Sequence, residues 1–217
     1  MPSTPQEGEA GRQAAAEALR AAILNGDVVP GQRLVEPELA ESFGVTRAAM
    51  RAALISLTGE GLVERIPNRG ARVRVVSVDE AVAITECRMV LEGLCAAKAA
   101  EKITDDQIDA LVEIGRQMRS AVEDGEPMKY SAMNRDLHRI IREIADQPSA
   151  AELLQRLNGQ IVRHQFRLAM RAGRPQVSLP EHLAIIDAIA RRDPDAAEAA
   201  ARTHLRSVIT ALRETES

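Results

Sequence analysis

The spacing of apolar residues changes twice along this chain, and these changes separate helical segments from a segment with β-strand periodicity. Between Leu62 and Val76, the runs "LVERI" and "ARVRV" alternate with a period of two residues around the turn sequence "PNRG". This pattern predicts a two-stranded β-hairpin with Arg72 and Arg74 on one face. Before it and from Ser77 onward, apolar residues recur with helical spacing. The chain is therefore predicted to be mainly α-helical, with one small hairpin.

Three helices are predicted before the hairpin. The first ends at Asn25, the stretch "VVPGQRL" forms a turn, and the second helix covers "PELAESF". Thr46 is the predicted N-cap of the third helix. Arg47 and Arg51 lie one turn apart at its start and therefore share a face. A short helix, a turn, a helix that begins with arginines and a basic hairpin together predict a winged helix-turn-helix.

The remainder of the chain predicts an all-α bundle of about six helices. Turn and cap residues, such as "GEP" and "DP", separate the helical stretches. These stretches cover residues 79–102, 104–124, 127–145, 149–171, 178–191 and 194–214. The patterns divide the chain into a flexible tail at 1–11, a winged helix-turn-helix domain at 12–76, and a helical domain at 77–217.

The formal net charge of −4 is unevenly distributed along the chain. Residues 1–76 contain 9 Lys+Arg and 9 Asp+Glu, whereas residues 77–217 contain 19 and 23. The excess of acidic residues thus belongs to the helical domain, and a basic patch on the first domain remains compatible with the overall acidity.

No apolar run approaches the roughly 18 residues that a membrane-spanning helix needs. The polar N-terminal stretch lacks the order of a secretory signal. Cys87 and Cys95 fall in one predicted helix, about 12 Å apart along its axis, which is too far for a disulfide. We therefore expect a cytoplasmic protein with free thiols and no membrane partner.

Double-stranded DNA is the partner that the first domain predicts. The helix that begins with Arg47 and Arg51 is of the kind that enters the major groove, where a guanidinium group binds guanine O6 and N7 or a phosphate. Thr46 can donate to a phosphate. In the hairpin, Gly70 allows the backbone to approach DNA closely, and Arg69 is placed to reach along it.

The segment "ILNGDVVPGQRLVEPELAESFGVTRAAMRAALISLTGEGLVERIPNRGARV" resembles the DNA-binding domain of the GntR family of bacterial transcription regulators. The shared skeleton, "PG-x-x-L…E-x-x-LA…GV-[ST]-R…R-x-AL…L-x-x-x-GL…RG", spans about fifty residues. The resemblance implies a regulator that binds DNA. The residues that it places at the DNA are Thr46, Arg47, Arg51, Arg69 and Gly70.

Three of the four histidines lie on apolar faces of three different predicted helices. They are His138, His182 and His204, and Asn134 lies one turn before His138 on the same face. Such histidines can converge inside a bundle, where neutral imidazoles bind Zn, Ni or Mn. The alternative for each of them is a hydrogen-bonded histidine of the core.

The stretches "ECRMVLEGLCAAKAA", "NRDLHRII" and "PEHLAIIDAIARRDPDAAEAAARTHL" resemble the ligand-binding domain of the FadR subgroup of the GntR family, called FCD. The resemblance places Arg88 in the helix that lines the effector pocket, where a guanidinium group can bind a carboxylate. Pairing of Arg88 with Glu92, one turn on, is the alternative. The residues implied to bind a divalent metal ion are Asn134, His138, His182 and His204.

The sequence as a whole predicts a homodimeric transcription regulator, more specifically a repressor, and not an enzyme. We expect it to bind a palindromic operator with an affinity controlled by a small organic acid at or near the metal. One alternative is a regulator that responds to the metal alone. The other is a metalloenzyme, which the sequence disfavours because no evident general base accompanies the histidines.

Overall fold

The computed structural model describes residues 5–67 and 70–214, with side chains from Glu9 onward. The chain divides into two compact units, and the division falls between Val76 and Ser77. The first unit combines helices with a small antiparallel sheet, and the second is helical throughout its described residues. The predicted fold class is confirmed.

In the first unit, three helices pack against a three-stranded sheet with the strand order β1-β3-β2. Leu19, Met50 and Leu57 have no exposed surface, and Val63 and Val73 bury one face of the sheet against them. The elements are α1 (Pro5–Asn25), β1 (Arg33–Leu34), α2 (Glu36–Ser42), α3 (Arg47–Gly59), β2 (Val63–Ile66) and β3 (Gly70–Val73).

Helix α1 begins at Pro5 and therefore includes residues 5–11 of the predicted tail. Residues 1–4 lie outside the part of the chain that the structure describes. The helix is anchored where Ala15, Ala16 and Leu19 are buried. Once such a helix is nucleated, its extension toward the N-terminus costs little free energy, and proline is compatible with a first helical turn.

The sheet contains a strand that the sequence did not predict. Leu34 of β1 pairs with Ala71 of β3, and Arg33 pairs with Arg72. A strand of two residues is too short to show a period of two, so its position depends on tertiary pairing. The third strand also ends at Val73, before Arg74, and is shorter than the predicted run.

The second unit contains seven helices within residues 77–214. Their shared core includes the fully buried side chains of Leu111, Met118, Leu137 and Leu154. No helix among the described residues is long and apolar enough to cross a membrane. The helices are α4 (Val78–Lys102), α5 (Asp105–Glu123), α6 (Pro127–Ala145), α7 (Pro148–Gln160), α8 (Val162–Ala169), α9 (Arg174–Ala190) and α10 (Pro194–Arg213).

Two predicted helix boundaries were wrong. The stretch 149–171 is interrupted at Ile161, whose backbone angles of φ −110° and ψ 15° place its side chain in the core with 1% exposure. The helix predicted over 178–191 begins earlier, at Arg174, after Gly173 with φ 79°. Pro175 is compatible with the first turn of that helix, so it does not mark a break before residue 178.

Helices α4 and α10 pack closely against each other in the bundle. At Gly93 on α4, an added Cβ atom would lie only 3.2 Å from Nε of Arg202 and from Cγ of Glu198, both on α10. A larger residue at position 93 would therefore require the side chains of Arg202 and Glu198 to shift by at least a few tenths of an ångström. Glu92, next to Gly93, is buried in the same interior.

Candidate metal centre and nucleic-acid interface

The three predicted histidines converge in the interior of the second unit. His138 lies on α6, His182 on α9 and His204 on α10. One ring nitrogen from each lies within 4.8 Å of those of the other two. The ring centroids are 4.2–5.6 Å apart. Nitrogens at about 2.1 Å from one tetrahedral zinc ion lie about 3.4 Å apart, so the cluster would contract by up to about 1.4 Å to hold one ion.

His204 is oriented by a carboxylate on its outer side. Its Nδ1 lies 2.8 Å from Oε2 of Glu181, at hydrogen-bond distance. The buried Arg174 lies behind this pair, with Nη1 donating to Ser207 Oγ at 2.9 Å and Nη2 3.6 Å from Glu181 Oε2. Burial by itself raises the pKa of Glu181, but the contacts with His204 and Ser207 outweigh it and lower the pKa. The ionised Glu181 therefore favours a proton on Nδ1 and leaves Nε2 for a ligand.

His182 is oriented by a chain of neutral donors. Ser178 Oγ donates to the carbonyl oxygen of Arg174 at 2.9 Å, and the Tyr130 hydroxyl donates to Ser178 Oγ at 3.1 Å. With its only proton so used, Tyr130 accepts a hydrogen bond from Nδ1 of His182, 2.8 Å away. Burial raises the pKa of Tyr130 to about 12, so the phenol stays protonated. The proton of His182 thus lies on Nδ1, and Nε2 carries a lone pair.

His138 faces Glu92 of α4. Nδ1 of His138 lies 3.0 Å from Glu92 Oε2, an ion-pair distance, although the contact lacks hydrogen-bond geometry and Oε2 has no hydrogen-bond partner. Burial by itself raises the pKa of Glu92, but Arg88 and His138 outweigh it and hold the pKa well below its usual value. Each of the three histidines therefore has its Nδ1 next to an oxygen.

Four buried side-chain atoms of the second unit make no hydrogen bond with the described residues, and two of them belong to predicted metal ligands. These two atoms are His182 Nε2 and Asn134 Oδ1. An unsatisfied buried polar atom is costly, and a metal ion would accept electron pairs from both. The donor set of three imidazoles and one amide oxygen fits a divalent transition metal.

The buried histidines are held in the neutral form that metals require. Burial lowers the pKa of His182 well below its usual value, and the nearby His204 and His138 lower it further. Burial also lowers the pKa of His204, against an opposing effect of Glu181. Because metal ions bind the unprotonated imidazole, these two ligands need to release no proton near neutral pH.

Arg88, the predicted effector contact, is buried and pairs with Glu92. Its Nε and Nη2 donate to Glu92 Oε1 at 3.1 and 2.6 Å. The side chains of Arg88 and Glu92 are 9% and 6% exposed. The pairing left open as an alternative is therefore present in this structure. Nη1 of Arg88 makes no hydrogen bond with the described residues.

Sequence reasoning missed three residues that orient the histidines. Tyr130 precedes Asn134 and His138 at intervals of four residues, so helical spacing already placed it on their face. Helical spacing did not indicate the role of Glu181, because Glu181 adjoins His182 in sequence but contacts His204. Glu92 was considered only as a partner for Arg88, and its contact with His138 depends on the packing of α4 against α6.

Replacing Tyr130 with phenylalanine removes the oxygen that faces Nδ1 of His182 and nearly preserves the volume of the ring. We expect zinc affinity to fall by about 10–100-fold, as for other outer hydrogen-bond partners of metal ligands. Competition with a chromophoric chelator measures this change. Thermal unfolding with excess chelator controls for damage to the fold, and an unchanged zinc affinity would show that Tyr130 does not orient His182.

The predicted DNA-contacting residues of α3 lie at the surface of the first unit. The Thr46 side chain caps α3 by accepting a hydrogen bond from the backbone N–H of Ala49 at 3.1 Å, which confirms the predicted cap. Arg47 and Arg51 are exposed on the first turns of the same helix. The guanidinium group of Arg51 is engaged, with Nε and Nη2 donating to Glu36 at 3.0 and 2.9 Å.

The hairpin places one further predicted residue at the surface. Gly70 is exposed and begins β3 with φ +88°, a conformation that favours glycine. Arg69, the other predicted contact of the hairpin, lies outside the residues that the structure describes. Thr46, Arg47, Arg51 and Gly70 thus all lie at the surface of the first unit.

A helix-turn-helix with a small sheet, followed by a helical bundle with an internal histidine cluster, defines a class of two-domain proteins. Residues 12–73 match the sequence profile of the gntR family of bacterial regulatory proteins, and residues 83–207 match that of the FCD domain. The chain belongs to the GntR family and carries an FCD domain.

The sequence similarity to known proteins covers most of the chain. The HTH-type transcriptional repressor RspR of Escherichia coli K12 is 29% identical over 196 residues, which cover 90% of this chain and 86% of RspR. The HTH-type transcriptional repressor NanR of Citrobacter rodentium is 30% identical over 203 residues, with 84% and 76% covered.

Solved structures share the fold. E. coli McbR/YncC superposes with a TM-score of 0.78 at 20% identity, covering 95% of this chain and 99% of that one. A putative GntR transcriptional regulator from Rhodococcus sp. RHA1 gives 0.72 at 24% identity, with 94% and 97% covered.

Proposed function

We propose that this protein is a DNA-binding transcription repressor whose operator affinity is controlled by a small carboxylate bound at or near a divalent metal ion. Membership of the GntR family supports regulation through DNA, and the names of RspR and NanR support repression in particular. The histidine cluster is the observation that supports control of this affinity by a metal and an effector. Each Nδ1 of the cluster faces an oxygen, and the Nε2 atom of the neutral His182 is buried without a hydrogen-bond partner among the described residues.

The metal would be held by Nε2 of the histidines and by the Asn134 amide oxygen, and zinc, nickel and manganese are the candidates. When bound, such an ion supplies a Lewis-acidic position for a carboxylate oxygen. Asn134 contributes no negative charge, so we expect weaker binding than an aspartate would give. Nη1 of Arg88 is the proposed second contact for the carboxylate, because Nε and Nη2 already serve Glu92.

The DNA-binding surface would use Thr46, Arg47, Arg51, Arg69 and Gly70. We propose that the protein acts as a homodimer on a palindromic operator, since two copies of one recognition helix match two symmetric half-sites. The effector would control this binding by favouring one arrangement of the dimer over another.

Regulation by the metal alone is the second candidate function, since the cluster can hold an ion without any organic ligand. The carboxylates next to the histidines disfavour a metalloenzyme. Glu92 and Glu181 are engaged with Arg88 and His204, and both carboxyl groups have lowered pKa values. A carboxylate of low pKa is a weak general base.

The decisive experiment is thermal unfolding of metal-analysed protein with a panel of small carboxylates, with and without chelator. We expect one acid to raise the melting temperature by several degrees, since saturation at about 100 times Kd adds about 2.7 kcal/mol of stability, and only while metal is present. The same acid should then change the affinity for operator DNA. Stabilisation by metal without any acid would favour the metal sensor, and turnover of an acid would favour the enzyme.

A further inference from the structure

A groove lies within the first unit, beside the exposed face of α3. Among its lining residues, only Arg51 and Gly70 were predicted from the sequence to contact DNA. Its lining includes Arg33, Glu36, Arg51, Ile55, Arg65 and Gly70. Arg51 and Arg65 are basic and Glu36 is acidic. Arg33, in contrast, pairs in register with Arg72, so its side chain lies on the opposite face of the sheet. The groove therefore continues the basic surface that Arg47 and Arg51 begin.

Glu36, the first residue of α2, is within electrostatic range of several arginines. Hydrogen bonding by Arg51 lowers the pKa of Glu36, and the charges of Arg47 and Arg65 lower it further. Arg51 makes two parallel hydrogen bonds to the carboxylate. The guanidinium groups of Arg47 and Arg65 make no hydrogen bond or ion pair with the described residues. One carboxylate thus partly neutralises three cations, of which only Arg51 is hydrogen-bonded to it.

Arg65 lies on the face of the sheet that adjoins the groove. It pairs in register with Ala71, which also pairs with Leu34, and Ala71 and Leu34 are buried on that face. The neighbouring position pairs Glu64 with Arg72, so these two side chains lie on the opposite face, where they form an ion pair. Arg65 and Arg72 therefore carry the same charge on opposite faces of one sheet.

We propose that Arg65 is a further phosphate contact and that Glu36 is a positioning residue, which holds Arg51 until DNA replaces the carboxylate. This inference rests on the proposed DNA-binding function and adds its electrostatic control. Guanine O6 and N7, or two phosphate oxygens, offer Arg51 the same bidentate acceptors as Glu36. A base with a single acceptor cannot accept both hydrogen bonds from Arg51. Because the same Glu36 carboxylate must be displaced whatever the DNA sequence, it lowers the affinity for every duplex that takes over Arg51.

The experiment compares two short duplexes, one selected from a randomised pool by the wild-type protein and one unselected duplex of equal length. Affinities are measured across a range of salt concentrations. We expect Arg65→Ala to weaken both complexes alike and to reduce the slope of log K against log salt by about 1. We expect Glu36→Gln to tighten binding of the unselected duplex. The selected duplex should be bound more tightly as well, by up to about fivefold, and Glu36→Asp, which keeps the charge, should bind both duplexes more weakly than Glu36→Gln.

Matched variants separate the Arg65 contact from a general loss of charge. Arg72→Ala removes the same charge from the opposite face of the sheet, and Arg156→Ala removes it from the exposed surface of α7. An effect of Arg65→Ala no larger than that of Arg72→Ala would overturn the phosphate contact. An affinity of Glu36→Gln for both duplexes that is no higher than that of the wild-type protein would overturn the role of Glu36. If the wild-type protein selects no sequence and binds neither duplex, the proposed function itself fails. Circular dichroism confirms that each variant is folded.

Discussion

Replacement of Arg88 with alanine is expected to destabilise the helical domain by about 3–5 kcal/mol, as when one partner of a buried ion pair is removed. The loss would leave the Glu92 carboxylate, 6% exposed, without its main counter-charge. For a domain of this size, the melting temperature shifts by about 2–4 °C per kcal/mol. We therefore expect a decrease of about 6–20 °C, measured by calorimetry on protein kept free of metal and effector.

Arg139→Ala is the matched control for this prediction. Arg139 lies on α6 and pairs with Glu143 four residues later, but both side chains are at least half exposed. Exposed pairs of this kind contribute about 0.3–0.5 kcal/mol, so a decrease of only about 1–2 °C is expected. If Arg88→Ala behaved like this control yet lost its response to a carboxylate, Arg88 would be a free effector contact and not a partner of Glu92.

Replacement of His182 with alanine is expected to abolish stoichiometric zinc binding. The variant removes the imidazole whose buried Nε2 has no partner in the structure. The loss of affinity should exceed the about 10–100-fold expected when an outer hydrogen-bond partner is removed. Isothermal titration with zinc, together with metal analysis of the purified protein, measures the effect.

The cavity left by the imidazole will also lower stability without metal, so the informative quantity is the zinc-dependent part of the melting temperature. That part should vanish in His182→Ala. It should persist in His164→Ala, because His164 lies on α8 and is not one of the clustered histidines. Equal zinc stabilisation in His182→Ala and the wild-type protein would refute a metal site at the cluster.

Local sequence patterns were sufficient to define most of the helices and the hairpin. The helix predicted over 127–145 is Pro127–Ala145 in the structure, and the N-cap at Thr46 is present. Proline, glycine and capping residues act over three or four neighbours, so their effects can be read in the sequence itself. The same reasoning failed at β1, which has only two residues, and at Ile161, where tertiary burial interrupts a helical pattern.

The candidate metal site was also predicted only in part from the sequence. The sequence identified His138, His182 and His204 because each lies on an apolar helical face, which predicts a position in the interior. Their convergence within 4.8 Å depends on how α6, α9 and α10 are rotated and shifted against one another. Those rotations result from the packing of the whole core, and no short sequence window contains them.

Helical period, caps and charge are local properties, so they predict a basic helix-turn-helix followed by a helical bundle with inward-facing histidines. The groups that these side chains contact depend on how the elements pack. Glu181 contacts His204 although it adjoins His182, and Glu36 binds Arg51 from fifteen residues away. Hydrogen bonds between elements require atoms to lie within about 3 Å, and the packing of the elements alone fixes distances on that scale.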